Sequence, residues 1–201
     1  MKTLFKMIMA GVFASTLILT PSAQAAPKLL KVDKAKAAVI AAAEAGRPMT
    51  VNEIYKVFSG RSWIWDNGAG YFAVSKRDFT AWSGRGKKAT YAKGSWFIAS
   101  GGRLCFNATW YAMNGAGKKV TCFENRKNGK KMYQRRLPDG EWYVFSHTPP
   151  YSYDAIRKLK RGDYVARRLA RNERYITKNM PEIDECAYYE VGKRFICNMF
   201  K

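Results

Sequence analysis

Few residues in this chain have the types and spacing that acid–base or nucleophilic catalysis requires. His147 is the only histidine, and the sequence lacks the Gly-x-Ser-x-Gly turn that presents a nucleophilic serine. Carboxylates that could pair for glycoside hydrolysis fall at turns and strand starts, where such residues commonly build turns: Asp66, Asp78, Asp139 and Glu141. We therefore expect a protein without catalytic activity. The alternative is a hydrolase in which His147 or paired carboxylates transfer the proton.

Aromatic and arginine side chains make a better case for ligand binding. Trp63 and Trp65 stand two residues apart, so their rings lie on one side of a strand. Indole rings stack on sugar rings and donate to hydroxyls, and an arginine inside a β-domain needs a carboxylate such as Glu124 or Glu141, or an anionic ligand. The alternatives are a thick aromatic core and surface arginines. The residues predicted to bind a ligand are Trp63, Trp65, Tyr71, Arg103, Trp110, Arg135 and Trp142.

The N-terminal segment 1–25 predicts export. A positive start at Lys2 and Lys6, an apolar run over 7–19 and a small-x-small ending at Ala25 have the form of a secretory signal peptide. The apolar run is too short for a comfortable membrane span, and no later segment approaches the roughly 20 apolar residues that a span needs. We expect a periplasmic or secreted protein without a transmembrane span after cleavage. An uncleaved anchor is the alternative.

The cysteines predict disulfides rather than a metal site. The chain has 4 cysteines, and an even number in an exported protein points to disulfides. Of the three possible pairings we favour Cys105–Cys122 and Cys186–Cys197, because each closes a short loop that can be a hairpin. A zinc site is the rival use, but the sequence has no Cys-x-x-Cys and a single histidine. We expect no metal and no cofactor.

The charge of the chain suggests anionic partners. Lys and Arg number 36 against 15 Asp and Glu, a formal net charge of +21, which attracts anions over a long range. For an exported protein these are lipid headgroups, acidic polysaccharides or teichoic-type polymers, and no nucleic acid is expected. The basic stretch 157–178 could lie on an anionic membrane as an amphipathic helix, but its thin apolar stripe favours a solvated basic face. A basic surface without a specific partner is the alternative.

The periodicity of the sequence predicts a mainly β fold flanked by helices. The Ala/Lys-rich composition of residues 28–45 predicts a loosely docked helix or a tether. Thr50 and Glu53 form a capping box that starts a helix over 50–59. Short turns then separate nine strands, which imply an antiparallel meander: 62–65, 69–75, 78–83, 88–92, 95–100, 103–111, 119–126, 131–137 and 141–147.

Such a meander closes into a small barrel, lipocalin-like, or folds into a sandwich, with the 50–59 helix plugging or covering one end. In the tail, Ser152 to Leu159 has the pattern of a helix. Val165, Leu169 and Ile176 form one apolar helical stripe, and Cys186 to Cys197 has the pattern of a stapled hairpin. The predicted organisation is a signal peptide (1–25), a helix or tether (26–48), the β-domain (49–148) and a basic extension (149–201).

Several short motifs occur in one order along the β region. They include Gly60 to Trp65, Phe79 to Ser83, Gly102 to Phe106 and Gly140 to Phe145. Together they resemble the exported bacterial family catalogued as domain of unknown function 995, over about Met49 to Asp163. The family has no established activity or catalytic residues, so the resemblance implies a shared domain and no transferable site.

We therefore expect an exported, non-catalytic β-domain protein that binds an anionic or saccharide ligand of the cell envelope. The alternatives are a hydrolase acting on the envelope, and an inhibitor or assembly factor that binds another periplasmic protein.

Overall fold

The computed structural model describes residues 26–179, with side chains from Lys34 onward. The predicted signal peptide and the predicted Cys186–Cys197 hairpin lie outside the described residues. The chain divides between Lys36 and Ala37. Before that point lies the first part of helix α1 (Ala26–Glu44), and the β-domain is built from the residues after it.

Two further helices and ten strands occupy the rest of the described chain. The helices are α2 (Val51–Phe58) and α3 (Ala166–Asn179), and short 3₁₀ turns occupy Ser75–Arg77, Gly86–Lys88 and Ala155–Lys158. The strands are β1 (Arg47–Pro48), β2 (Arg61–Trp65), β3 (Gly68–Phe72), β4 (Asp78–Ser83), β5 (Thr90–Ala99), β6 (Arg103–Ala112), β7 (Gly115–Asn128), β8 (Lys131–Arg136), β9 (Tyr143–His147) and β10 (Leu159–Arg161).

The strands form one antiparallel sheet, which confirms the predicted meander. Its order is β10-β2-β3-β4-β5-β6-β7-β8-β9, with β1 paired to β7. Strands β9 and β10 are the two ends, and in the described chain no ladder joins them. The segment between them contains Pro149, Pro150 and the 3₁₀ turn Ala155–Lys158. The sheet is thus a curved half-barrel, which confirms the barrel-like meander, whereas the lipocalin-like or sandwich-like closure stays a prediction.

Two local predictions are wrong. The strands predicted at 88–92 and 95–100 are the single strand β5, because Gly94 continues the ladder opposite Ala108 instead of turning the chain. The helix predicted over 152–159 is a 3₁₀ turn at Ala155–Lys158 followed by β10, which pairs with β2. Ladder hydrogen bonds to β2 draw the end of that segment into the sheet.

The predicted hairpin with a disulfide is confirmed at β6 and β7. Cys105 and Cys122 are directly opposed in the ladder and their sulfurs are bonded. Strand alternation puts Phe106 and Phe123 on the other face of the same hairpin, with ring centroids 6.3 Å apart. The hairpin therefore contributes a covalent link to the outer face of the sheet and two rings to its inner face.

Helix α2 packs against the inner face. Its capping box is present: Thr50 Oγ1 accepts from the Glu53 N–H at 3.3 Å, and the Glu53 carboxylate accepts from the Thr50 N–H at 2.9 Å. Ile54 and Phe58 are fully buried, and the Phe58 ring lies 5.7 Å from that of Phe145 on β9. This short helix starts where its cap dictates and buries its apolar side in the concave sheet.

Helix α3 covers part of the outer face. The predicted stripe of Val165, Leu169 and Ile176 is confirmed, since all three are buried with Ala69 and Tyr91 of the sheet. Asp163 Oδ1 accepts from the backbone N–H groups of Val165, just before the helix, and Ala166, its first residue, at 2.7 and 3.0 Å. The apolar side of α3 is therefore used within the fold.

The C-terminal half of α1 packs elsewhere on the outer face. Ala43 is buried in a cluster with Tyr133 and Trp142. Arg126 Nη1 and Asn128 Nδ2 donate to the carbonyls of Glu44 and Ala42, both at 2.9 Å, which satisfies acceptors that a helix end leaves unpaired. Over residues 26–179, no helix combines the length and the apolar composition that crossing a membrane needs.

Candidate ligand-binding cavity

The inner face of the half-barrel carries a half-open cavity of about 370 Å³. This volume lies within the range of small-molecule sites, roughly 300–1,000 Å³. Its walls are mostly aromatic: the lining residues are Trp63, Trp65, Gly70, Phe72, Phe79, Phe106, Phe123, Tyr143, Ala155 and Lys158. The cavity is thus a mostly apolar space with one cationic side chain in its lining.

Strand alternation produces this lining. Every second residue of a strand faces the concave side, so Trp63 and Trp65 of β2 both face the cavity, as their spacing predicted. Phe79 of β4 and Phe106 of β6 stack with centroids 4.2 Å apart. Gly70 leaves room for these rings, because a Cβ there would lie 2.9 Å from the Phe79 ring.

Polar side chains sit beside the cavity at Tyr143. Gln134 and Asn125 are fully buried; Gln134 Nε2 donates to Asn125 Oδ1 at 2.8 Å, and the Tyr143 hydroxyl donates to Gln134 Oε1. Asn125 Nδ2 in turn donates to the carbonyls of Gly102 and Phe123. Burial raises the pKa of Tyr143 above its ordinary value, so this hydroxyl stays neutral and is already engaged as a donor.

The charged residue of the lining, Lys158, belongs to the segment that bridges β9 and β10. This segment is fastened to β9 by Asp154, whose carboxylate accepts from the backbone N–H of His147 at 2.7 Å and from that of Tyr151 at 2.9 Å. Burial opposes ionisation of Asp154, but these hydrogen bonds and one with the His147 ring outweigh it and hold the pKa of the carboxyl below its ordinary value.

His147 and Asp154 form a hydrogen-bonded pair with the geometry of the histidine–carboxylate part of a catalytic triad. The His147 Nδ1 atom lies 2.8 Å from Asp154 Oδ1, and the ring stacks on Tyr151 with centroids 4.1 Å apart. Within the described chain, no serine, threonine or cysteine side chain is hydrogen-bonded to the imidazole. The same residues also contain no group of three or more His, Cys, Asp or Glu arranged to hold a metal ion.

The predicted site residues fall into separate places. Trp63 and Trp65 share the cavity. Trp110 packs against the same inner core without lining the cavity, whereas Tyr71 lies on the outer face among the residues beneath α3. Arg103 is exposed at the start of β6, and its Nε donates to the Ser100 carbonyl at 2.8 Å.

Arg135 and Trp142 meet on the outer face in an ion-pair cluster. Glu124 accepts from Arg135 and Arg126, with shortest distances of 2.6 and 2.8 Å, which confirms Glu124 as a structural partner. The two guanidinium carbons lie 4.7 and 5.5 Å from the Trp142 ring centroid. Burial disfavours the charged form of Glu124, but both arginines reverse this and lower its pKa. Arg135 and Trp142 thus stabilise the sheet near α1.

Comparison with known proteins assigns the family. The family model described as "Protein of unknown function (DUF995)" matches residues 20–165. The chain belongs to the DUF995 family. The match starts before Met49, where the sequence resemblance began, and it includes every residue that lines the cavity. Helix α3 starts just beyond the last matched residue of this DUF995 protein. No curated protein and no solved structure matches the chain.

Sequence reasoning missed most of the cavity lining. Phe72, Phe79, Phe106 and Phe123 come from four strands, and their convergence depends on long-range pairing that spacing within one strand does not show. The available signal was the bulky aromatic residues at alternating strand positions, together with Gly70, whose missing side chain leaves room for the Phe79 ring. Lys158 carried no signal, because the pattern of its segment suits a helix rather than a strand that enters the sheet.

Proposed function

We propose that this DUF995 protein is a non-catalytic binding protein for an amphiphilic anion. The apolar part of the ligand occupies the aromatic cavity, and its anionic group lies beside Lys158. The observation that carries the proposal is the cavity itself: about 370 Å³ of space with aromatic walls and one cation in its lining. Burial of apolar surface supplies the affinity, and the cation selects the charge.

The chemistry of the walls favours an acyl or aromatic ligand over a saccharide. A sugar needs several convergent hydrogen-bonding groups besides a stacking ring. Here the Tyr143 hydroxyl already donates its hydrogen bond to Gln134. The remaining polar groups of the lining are the two indoles and Lys158. Phenylalanine rings, which make up much of the wall, offer no hydrogen bond.

The proposal places the protein outside the inner membrane. The first 25 residues have the pattern of a signal peptide, and the net charge of +21 favours an anionic ligand. An anionic lipid or fatty-acid-like compound of the cell envelope combines the apolar chain and the negative group that the cavity fits.

Fluorescence of 8-anilinonaphthalene-1-sulfonate, an aromatic anion, tests the proposal. We expect saturable binding to the wild type and displacement by dodecanoate. Ala155→Trp fills the rim of the cavity and should abolish binding, whereas Ala116→Trp, at an exposed position of β7, should leave it unchanged. Binding that survives Ala155→Trp in a folded variant would contradict the proposal.

The charge preference has its own test. Lys158→Gln should weaken dodecanoate binding by about two- to fivefold, the range of a partly exposed ion pair, and should leave dodecanol binding unchanged. Lys160→Gln, two residues along on β10 and outside the cavity lining, is the matched control. Equal affinity of the wild type for dodecanoate and dodecanol would show that Lys158 does not select an anionic ligand.

A hydrolase is the second candidate, and the 2.8 Å contact of His147 with Asp154 supports it. A carboxylate on Nδ1 orients an imidazole so that Nε2 can accept a proton from a nucleophile. If the protein hydrolyses an ester of the proposed ligand class, His147→Gln should lower the rate by orders of magnitude. Unchanged turnover in that variant, or no turnover by the wild type, would eliminate this candidate.

A further inference from the structure

Four arginines gather on the outer face of the sheet, on the side away from the cavity. Arg167, Arg168 and Arg171 belong to α3, where positions three and four apart are neighbours. Arg85 belongs to the connection between β4 and β5. Because the first three lie within two turns of one helix, only the position of Arg85 depends on tertiary contacts.

Asn172 fixes the β4–β5 connection against α3. It is 3% exposed, and its Nδ2 donates to the carbonyls of Ser83, Gly84 and Thr90 at 3.1, 3.3 and 3.0 Å. These carbonyls flank Arg85 on both sides in the sequence, so the loop that carries Arg85 is held at the helix. The arginines are thus brought together by a buried polar anchor.

The Trp82 ring packs beneath Arg168 and forms the floor of the arginine cluster. The guanidinium carbon of Arg168 lies 5.3 Å from the Trp82 ring centroid, a cation–π contact. The Trp82 indole N–H is buried and has no hydrogen-bond partner in the described structure. A stacked guanidinium keeps its N–H edges available for an anion, because the ring occupies only its face.

The positive charges in this group are not neutralised. Within the described residues, none of the four arginines makes an ion pair with a carboxylate; Asp163 caps the first turn of α3 and Glu173 pairs with Lys93. Partial burial, followed by the charges of Arg85, Arg171 and Arg167, lowers the pKa of Arg168. Like charges this close repel one another, and a bound anion would relieve the repulsion.

We infer that Arg85, Arg167, Arg168 and Arg171, with the Trp82 ring as floor, form a binding site for a phosphoryl group. We call it the arginine site. Guanidinium groups match the oxygen pairs of a phosphate bidentately, and an anionic phosphate suits a cluster of several cations that has no carboxylate partner among the described residues. The arginine site lies on the opposite face of the sheet from the cavity and does not depend on the proposed function.

The packing of α3 shows that the arginine site does not belong to an amphipathic helix that inserts into a membrane. Such a helix buries its apolar side in the bilayer, whereas Val165, Leu169 and Ile176 are buried against the sheet. The arginine site therefore acts through charge and hydrogen bonds at the surface. Its affinity should fall as salt is raised, because exposed charges are screened.

Titration with pyrophosphate, by calorimetry, tests the site. We expect saturable, salt-sensitive binding that Arg168→Gln or Arg85→Gln weakens about tenfold or more, the value of a lost charge-assisted hydrogen bond. Arg174→Gln removes the same charge from an exposed position of the same helix and should change the affinity by less than about twofold. Arg85→Gln alters an exposed loop side chain, so it remains informative if Arg168→Gln destabilises the fold.

The indole N–H resonance of Trp82 gives a local readout, assigned through Trp82→Phe. It should shift on addition of pyrophosphate in the wild type and in Arg174→Gln. Absence of saturable binding, equal losses in Arg174→Gln and Arg168→Gln, or an unmoved Trp82 resonance would overturn the inference.

Vesicles identify the source of the phosphoryl group. Sedimentation with phosphatidylglycerol but not phosphatidylcholine vesicles, lost in Arg85→Gln, would support the site with a lipid headgroup as its ligand. Pyrophosphate binding without vesicle binding would support it with a soluble phosphate compound as its ligand.

Discussion

The indole ring of Trp63 lies 5.1 Å from the phenyl ring of Phe123, although four strands separate β2 from β7 in the sheet. A flat sheet would hold these strands far apart, since neighbouring strands lie about 4.8 Å from each other. Their contact shows how tightly the sheet curves and which side chains close the inner space. The cavity and this ring pair are therefore products of the same curvature.

Gly94 allows β5 and β6 to approach closely. A Cβ at Gly94 would lie 2.1 Å from the Asn107 carbonyl oxygen and 2.5 Å from Ala108 Cα, both backbone atoms of β6. Gly94→Ala should therefore lower the free energy of unfolding by at least about 2 kcal/mol, as overpacked sites do. Gly117→Ala is the matched control, because nothing lies within 4 Å of its added Cβ. Chemical denaturation measures both, and equal stabilities would contradict this account.

Replacing Asn172 should destabilise the protein more than replacing most other polar residues of α3. Asn172→Ala leaves the carbonyls of Ser83, Gly84 and Thr90 without the donor they share, and unpaired buried polar groups cost about 1–3 kcal/mol. We expect a lower melting temperature and faster amide exchange in α3. Asn179→Ala, which loses one exposed contact to Tyr175, should change little. Similar exchange rates in the two variants would show that Asn172 does not hold the helix.

Glu53 should make the stability depend on acid pH. A hydrogen bond from Arg47, opposed by burial and aided by Thr50, lowers the pKa of Glu53 to about 2. A pKa lowered by folding stabilises the protein above the ordinary carboxyl range, and this contribution is lost as pH falls from about 4.5 toward 2. Glu53→Gln should cost about 1 kcal/mol at pH 7, and the cost should shrink as the pH falls and vanish below the folded-state pKa of about 2.

Denaturation of Glu53→Gln and wild type across this pH range measures the difference. Glu44→Gln is the control, because the side chain of Glu44 makes no ion pair with a described residue. A constant difference between Glu53→Gln and the wild type would contradict the assigned titration.

The Cys105–Cys122 bond should contribute to stability by limiting the unfolded chain. The cysteines are 17 residues apart, and the loop-entropy relation gives about 3 kcal/mol for such a loop. Replacing both cysteines by alanine should lower the free energy of unfolding by roughly this amount, and reducing agent should affect only the wild type. Two reactive thiols at these positions in the native protein would exclude the bond.

Features determined by neighbouring residues could be predicted from the sequence. The capping box needs only Thr50 and Glu53, three residues apart, and the α3 stripe needs only helical spacing. The β6–β7 hairpin followed from the short loop between Cys105 and Cys122, and the ladder places these two residues directly opposite each other. In each case the local preference and the tertiary contacts agree.

Features determined by distant contacts could not be predicted. Gly94 has the residue type of a turn, and only the backbone of β6 against it shows why glycine continues the strand. The 155–158 turn has residues that suit a helix, but the next three residues pair with β2 as strand β10. Trp65 and Trp142 are the same residue type in a β context, yet one faces the cavity and the other lies beneath arginines on the outer face.

Because no ladder joins β9 and β10 in the part of the chain that the structure describes, the size of the inner space is not fixed by hydrogen bonds at this edge. A closed barrel, with hydrogen-bonded strands all the way round, has a fixed circumference. Enlarging it requires breaking main-chain hydrogen bonds. Here the segment between the two edges is held to β9 by the Asp154 carboxylate and to the inner core by Ala155 and Ile156. The distance between the edges thus depends on side-chain contacts and not on a strand ladder. A change in the circumference of the half-barrel would therefore occur at this edge, without altering the register of the paired strands.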